Sequence, residues 1–103
     1  METSISAKEA FRDIVARRGQ HLRGLNYETL VQMTSVPNES ITVNGRKASI
    51  GTIVELRSDG RARVVVQGFL KALIGAHVEL DGFCKFKDGT IEKMPDDEFH
   101  EFD

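Results

Sequence analysis

The sequence predicts an α+β fold, with two N-terminal helices packed on one face of a curved antiparallel β-meander of four to five strands and a C-terminal strap. Apolar residues recur at helical spacing in the first third of the chain. From Glu39 onward, Asn-Gly and Asp-Gly dipeptides separate runs rich in Ile, Val, Thr and Phe, which is typical of β-hairpins. We expect a single domain over 1–103, with 1–36 helical, 39–94 forming the sheet and 95–103 forming an acidic aromatic tail.

The first helix is predicted to begin at Ser6. Ser6 and Glu9 have the spacing of a capping box, in which each side chain accepts a hydrogen bond from a free backbone amide of the first turn. A stripe at helical period follows, made of Ala7, Ala10, Phe11, Ile14 and Val15. Arg17 and Arg18 followed by Gly19 predict the end of this helix, because cations and glycine favour helix C-termini.

A second, short helix is predicted to begin after Asn26. Leu25 and Leu30 flank this position at the spacing of a hydrophobic staple. Pro37 then predicts that helical structure has ended, since the residue before a proline disfavours the helical conformation.

The remaining chain is predicted to form strands near 40–43, 47–57, 61–70, 76–80 and 83–94, the last divided by its own turn. The turn signals are Asn44-Gly45, Asp59-Gly60, Asp81-Gly82 and Asp88-Gly89. The stretch 68–75, GFLKALIG, fits a helical turn or a strand, and its spacing does not decide between them.

The central hairpin is predicted to turn through a three-residue loop at 58–60. This register places Glu55 opposite Arg63 and Val54 opposite Val64. It also gathers a core face made of Ile50, Val54, Leu56, Val64, Val66 and Leu70. In the last hairpin, a two-residue turn at Asp88-Gly89 would pair Phe86 with Ile91 and Lys85 with Glu92.

Composition favours a soluble cytoplasmic protein. The chain is 40% hydrophobic and 29% charged, which is too apolar for a disordered segment. No apolar run approaches the ~20 residues that span a bilayer, and the acidic start does not resemble a signal peptide. The single cysteine, Cys84, cannot form an internal disulfide. We therefore expect no membrane partner.

No catalytic residue, cofactor site or metal site is predicted. The histidines share no ligand spacing, Cys84 has no CxxC partner, and no nucleophile or phosphate-binding motif is present. Enzymatic activity is therefore not expected. If a small-molecule or catalytic pocket exists between the helices and the sheet, Tyr27, His77 and Cys84 are the residues expected in its wall.

The face of the sheet opposite the helices is predicted to be a partner surface. Ile53, Val65 and Phe69 make this face more apolar than solvent favours. Phe99 and Phe102 in the tail gain free energy by burial, and Pro95 followed by acids is typical of a helix start. The tail is therefore predicted to dock as a strap, on its own body, on a second copy or on another protein.

A basic patch is the alternative binding surface. Its residues are Arg46, Lys47, Arg57, Arg61 and Arg63, and Phe69 could offer a base a stacking platform. Residues 96–103 carry five acids and no Lys or Arg, whereas the rest of the chain carries fourteen Lys and Arg against eleven acids. The formal net charge of −2 and the expected Glu55–Arg63 pair argue against nucleic-acid binding.

These observations predict a small, non-enzymatic interaction module that binds a protein through the open sheet face and the acidic tail. A homodimer with two-fold symmetry is the expected assembly, because it is the commonest symmetric solution. Nucleic-acid binding through the arginine-rich hairpins, and a ligand-binding or enzymatic role, remain as alternatives.

Overall fold

Helices and strands are segregated along the chain, as the α+β prediction requires. The computed structural model describes residues 6–33 and 35–100. Two helices precede a five-stranded antiparallel sheet whose strand order follows the sequence, and a short helix closes the chain. The elements are α1 Ala7–Arg23, α2 Tyr27–Gln32, β1 Val36–Val43, β2 Arg46–Leu56, β3 Ala62–Lys71, β4 Ala76–Lys85, β5 Ile91–Lys93 and α3 Asp96–Phe99.

Both N-terminal helices begin where their caps predict. The Ser6 Oγ accepts a hydrogen bond from the Glu9 amide at 3.1 Å, and the Asn26 Oδ1 accepts one from the Thr29 amide at 2.8 Å. These contacts satisfy backbone donors that a first helical turn leaves free.

The predicted end of α1 at Gly19 is wrong. The helix continues to Arg23 and is capped by Gly24. Gly19 instead lets α1 approach β4, because a Cβ atom at this position would lie 1.7 Å from Asp81 Oδ2.

The central hairpin has the predicted register. Glu55 pairs with Arg63, and Val54 pairs with Val64. The Arg57 amide donates to the Arg61 carbonyl at 2.9 Å, which closes the loop 58–60. Gly60 has a φ of +90°, a conformation that glycine adopts without steric cost.

The predicted turn at Asp81-Gly82 is also wrong. β4 runs without interruption through both residues, which pair with Val66 and Val65. The chain reverses at 72–75 instead, where the Ala72 amide donates to the Gly75 carbonyl at 3.2 Å. Residues 68–71 belong to β3, and 72–75 form a tight loop with no helical turn.

The last hairpin differs from its predicted register by one residue. Lys85 pairs with Ile91, and the loop spans 87–89. Gly89 has a φ of +92°, like Gly60 in the central hairpin. The Asp88 carboxylate accepts a hydrogen bond from the Thr90 amide at 2.9 Å, which lowers the pKa of Asp88.

The main core lies between the helices and one face of the sheet. Phe11, Val15, Leu22 and Leu30 contribute from the helices, and the sheet contributes Val43, Ala48, Ile50, Ala62, Val64, Val66, Leu70 and Phe83. Val54 packs against this core as predicted. Leu56 does not, because it lies at the end of β2 with 64% of its surface exposed.

The two outer strands differ in length. β1 has eight residues, and its register with β2 shifts between Val36 and Glu39, beside Pro37. β5 has only three residues.

Among the residues described, no helix has both the length and the apolar character needed to span a bilayer.

Candidate functional site

The sheet face opposite α1 and α2, hereafter the second face, is divided into two halves. The covered half contains Arg63, Val65, Gly82 and Cys84, which are all buried. The open half contains Gln67, Phe69, Val78 and Ser49, which are all half-buried. Ile53 and Leu80 lie between them and pack against the covered half.

The chain's own C-terminal segment buries the covered half. Met94 is fully buried against Val65, and Phe99 packs on the same cluster. Pro95 forms the N-cap of α3 rather than its first helical residue. Residues 94–99, hereafter the strap, therefore dock on the chain's own sheet; Phe102 lies outside the described residues.

Ion pairs connect the strap to β2 and β3. The Arg63 side chain is only 2% exposed, and its guanidinium donates to Glu98 Oε1 at 2.7 Å and to Glu55 Oε2 at 3.0 Å. Arg61 reaches the other Glu98 oxygen at 3.2 Å. The hydrogen bond from Arg63 is the main cause that lowers the pKa of Glu98, and Arg61 adds to the effect against the opposing effect of burial.

Cys84 is a packed thiol on the covered half. It is 1% exposed, and Arg61 Nη1 lies 3.3 Å from its sulfur. Burial raises the pKa of Cys84, although the neighbouring arginine opposes that shift. Because the thiolate is the reactive form, this environment suits a structural cysteine and not a nucleophile.

The residues expected in a pocket wall are not brought together. His77 lies on the same strand as Cys84 but on the opposite face, where its ring contacts the Glu79 carboxylate. The Tyr27 hydroxyl donates to the Gly60 carbonyl at 2.6 Å, at the far hairpin. Within 6–33 and 35–100, no group of three or more His, Cys, Asp and Glu is placed to hold a metal ion.

Two polar contacts that the sequence analysis did not predict hold α1 on β4. Arg23 donates two hydrogen bonds to the Asp81 carboxylate, at 2.7 and 2.9 Å. The Lys85 ammonium donates to the carbonyls of Arg23 at 3.0 Å and Leu25 at 2.6 Å, where the helix dipole favours a cation. These groups are already paired, so we assign them to structure and not to ligand binding.

The five residues of the predicted basic patch fall into two groups. Arg57, Arg61 and Arg63 lie beside the covered half and pair with Glu55, Asp59 and Glu98. Arg46 and Lys47 lie near the opposite ends of the strands, where Arg46 Nε donates to the Lys71 carbonyl at 3.1 Å.

At that opposite end, the tips of the β1–β2 and β3–β4 hairpins enclose an open cleft of about 490 Å³. Its lining includes Arg46, Lys47, Lys71 and Leu73. Leu73 and Ile74 project from the β3–β4 tip with 101% and 90% of their surfaces exposed. The exposure of this pair was not predicted, because the spacing within 68–75 fitted a helical turn as well as a strand.

Comparison with known proteins assigns no family to the chain. No protein-family model, curated protein or solved structure matches it. Function is therefore inferred from the surface chemistry of the molecule alone.

Proposed function

We propose that this chain is a non-enzymatic interaction module that binds another protein through the open half of the second face. The observation that supports the proposal is the contrast between the two halves of this face. The strap buries Val65 completely, whereas Phe69 and Val78, which pair across β3 and β4, remain half-exposed. Among the residues described, these two adjacent apolar side chains remain accessible, and accessible apolar surface suits a macromolecular partner.

The shape of the open half supports a protein partner over a small molecule. Two shallow clefts flank Gln67 and Phe69, with volumes of about 370 and 250 Å³. Both are open to solvent, whereas small-molecule sites enclose most of the ligand surface. The broad surface of a protein fits two shallow, open clefts better than a compact ligand does.

The acidic tail has a different role in this proposal from the one predicted from the sequence. Glu98 and Phe99 already contact the chain's own sheet. We therefore assign partner binding to the open half and regard the strap as the element that limits its extent.

The charges around the open half favour an acidic partner. Lys47 and Lys71 line the cleft beside Phe69. A two-fold pairing of this surface with itself would bring like charges together, which costs electrostatic free energy. The homodimer expected from the sequence is therefore the less favoured assembly, although it uses the same surface.

The proposal is tested by site-specific photo-crosslinking in cells of the native host. A photoreactive amino acid replaces Val78 in the open half, and in a matched control it replaces Leu56, which is exposed at the other end of the sheet. We expect a discrete crosslinked protein from position 78 and none from position 56. Equal products at both positions, or none at 78, would remove the proposal.

Sedimentation equilibrium of the purified chain identifies the kind of partner. A monomer at high micromolar concentration, together with a crosslink at position 78, supports a heterologous partner. A dimer that Val78→Asp dissociates and Leu56→Asp leaves intact would instead assign the open half to a second copy.

A further inference from the structure

The β3–β4 hairpin tip presents two adjacent aliphatic side chains that nothing in the described chain covers. Leu73 and Ile74 are more exposed than any other large hydrophobic residue described; the next most exposed are Leu56 at 64% and Val36 and Ile91 at 42%. Single exposed aliphatic residues are common on protein surfaces, but a fully exposed pair at the end of a hairpin is a concentrated apolar projection.

Three cations lie beside this projection. Arg46, Lys47 and Lys71 line the cleft beside Leu73. The sequence contains no Asp or Glu within 40–54 or within 60–78, so the strand segments that lead to the two tips carry positive charge only. The Arg46 guanidinium is fixed by its hydrogen bond to the Lys71 carbonyl, which joins the two tips.

We propose that these paired hairpin tips dock on an anionic lipid surface. Leu73 and Ile74 enter the boundary between headgroups and acyl chains, while Arg46, Lys47 and Lys71 lie at the level of the lipid phosphates. Apolar insertion combined with attraction between cations and anionic lipids is the physical basis of interfacial binding. The sequence-based expectation of no membrane partner rested on the lack of a bilayer-spanning run and of a signal peptide, and interfacial docking needs neither.

A lipid surface fits the tips better than the other occupants do. A protein partner would need a pocket shaped to receive both projecting side chains, whereas a bilayer interface accepts them without a shaped cavity. A second copy would bring the three cations against themselves. Nucleic acid would satisfy the cations but would leave Leu73 and Ile74 in water. The lipid proposal rests on Leu73 and Ile74 and not on Phe69 and Val78, although Lys47 and Lys71 contribute to both surfaces.

The absence of tryptophan from the chain allows a direct test. Ile74→Trp introduces a single tryptophan at the tip, and Leu56→Trp provides the matched control at the opposite end of the sheet. With vesicles of phosphatidylcholine containing about one-third phosphatidylglycerol, we expect a blue shift of emission from position 74 and none from position 56. Pure phosphatidylcholine vesicles should give little shift, because the cations then lack anionic lipid.

Charge reversal at Lys47 and Lys71 measures the electrostatic contribution to vesicle binding. Each Lys or Arg near an anionic surface contributes about fivefold to partitioning, from about 1 kcal/mol per residue. Lys47→Glu with Lys71→Glu should therefore weaken vesicle cosedimentation by at least about 25-fold, whereas Lys87→Glu with Lys93→Glu should change it little. Unfolding curves for both double variants verify that they are folded.

Several results would overturn the proposal. They are failure of the wild-type chain to sediment with anionic vesicles at low salt, an equal blue shift at positions 56 and 74, and unchanged binding by the folded Lys47→Glu/Lys71→Glu variant. If Leu73→Ser with Ile74→Ser leaves vesicle binding intact but dissociates a dimer, the tip binds a second copy of the chain and not lipid. Vesicle failure combined with tip-dependent binding of a single-stranded oligonucleotide would assign the cations to nucleic acid.

Discussion

The covered and open halves of the second face lie on the same strands, but the strap buries only the covered half. In the covered half, a buried arginine and two carboxylates surround Val65, Met94 and Cys84. In the open half, Phe69 and Val78 stay half-exposed beside lysines. The difference shows that a few residues after the last strand decide how much of a sheet face stays accessible to solvent.

Removing the Glu98 carboxylate from the strap should cause the largest loss of stability. In Glu98→Ala, Arg63 loses its 2.7 Å contact with Glu98 and keeps its contact with Glu55. Breaking a buried ion pair from one side costs about 3–5 kcal/mol, and the remaining partner favours the lower end, about 3 kcal/mol. Urea denaturation measures this loss in the free energy of unfolding.

A second measurement on the same variant reports whether the strap opens locally. Cys84 should react with a thiol reagent faster in Glu98→Ala than in the wild type, because the strap that buries it is loosened. Replacing both partners, as Arg63→Met with Glu98→Leu, should recover much of the stability. A double variant less stable than Glu98→Ala would show that Arg63 has a further role.

Truncating the strap's apolar anchor should have the next largest effect. Met94→Ala removes a fully buried side chain, and such changes cost about 2–5 kcal/mol. We expect about 2–3 kcal/mol by urea denaturation, because a terminal segment can partly close the cavity. Met33→Ala, at a half-buried position after α2, is the control and should cost less. Equal losses at both sites would mean that the strap contributes little.

An isosteric pair of substitutions compares the two halves directly. Val65→Thr places a hydroxyl in the covered half, where an unsatisfied polar group costs about 1–3 kcal/mol. Val78→Thr places the same hydroxyl in the open half, where water can reach it, and should change stability by less than about 0.5 kcal/mol. Equal effects in thermal unfolding would contradict the division of the face.

Acid should weaken the covered half through Glu98, and this is the smallest effect that we expect. The pKa of Glu98 is lowered in the folded state, so its stabilising contribution is complete above the unfolded value, about 4.3, and is lost as pH falls through the folded value. Urea midpoints between pH 6 and 3 should therefore fall more steeply in the wild type than in Glu98→Gln. Parallel profiles would contradict the role of this carboxylate.

The sequence predicted the parts of the fold that local chemistry determines. Ser6 and Asn26 cap their helices, and the register of the central hairpin followed from matching two apolar strand faces. The last hairpin was predicted one residue out of register. Because β5 is exposed throughout, no burial contrast distinguished its two pairings.

The errors at Gly19 and Gly82 have a common cause. Both glycines lie at close contacts between elements, where Gly19 meets Asp81 and Gly82 meets Met94. A glycine that allows two elements to approach closely cannot be distinguished from a turn glycine by its sequence neighbours alone.

The candidate surfaces were less predictable for the same reason. The bridge from Glu98 to Arg61 and Arg63 joins residues 35 or more positions apart in the chain. The exposure of Leu73 and Ile74 depended on where β3 ended, which the periodicity of so short a run did not fix.

The outer strand β1 is a poor template for polymerisation. Pro37 lacks an amide hydrogen, and the irregular register beside it interrupts the row of donors and acceptors along β1. The opposite margin ends in the three residues of β5. Concentrated solutions of this chain should therefore resist fibril growth by strand addition at β1.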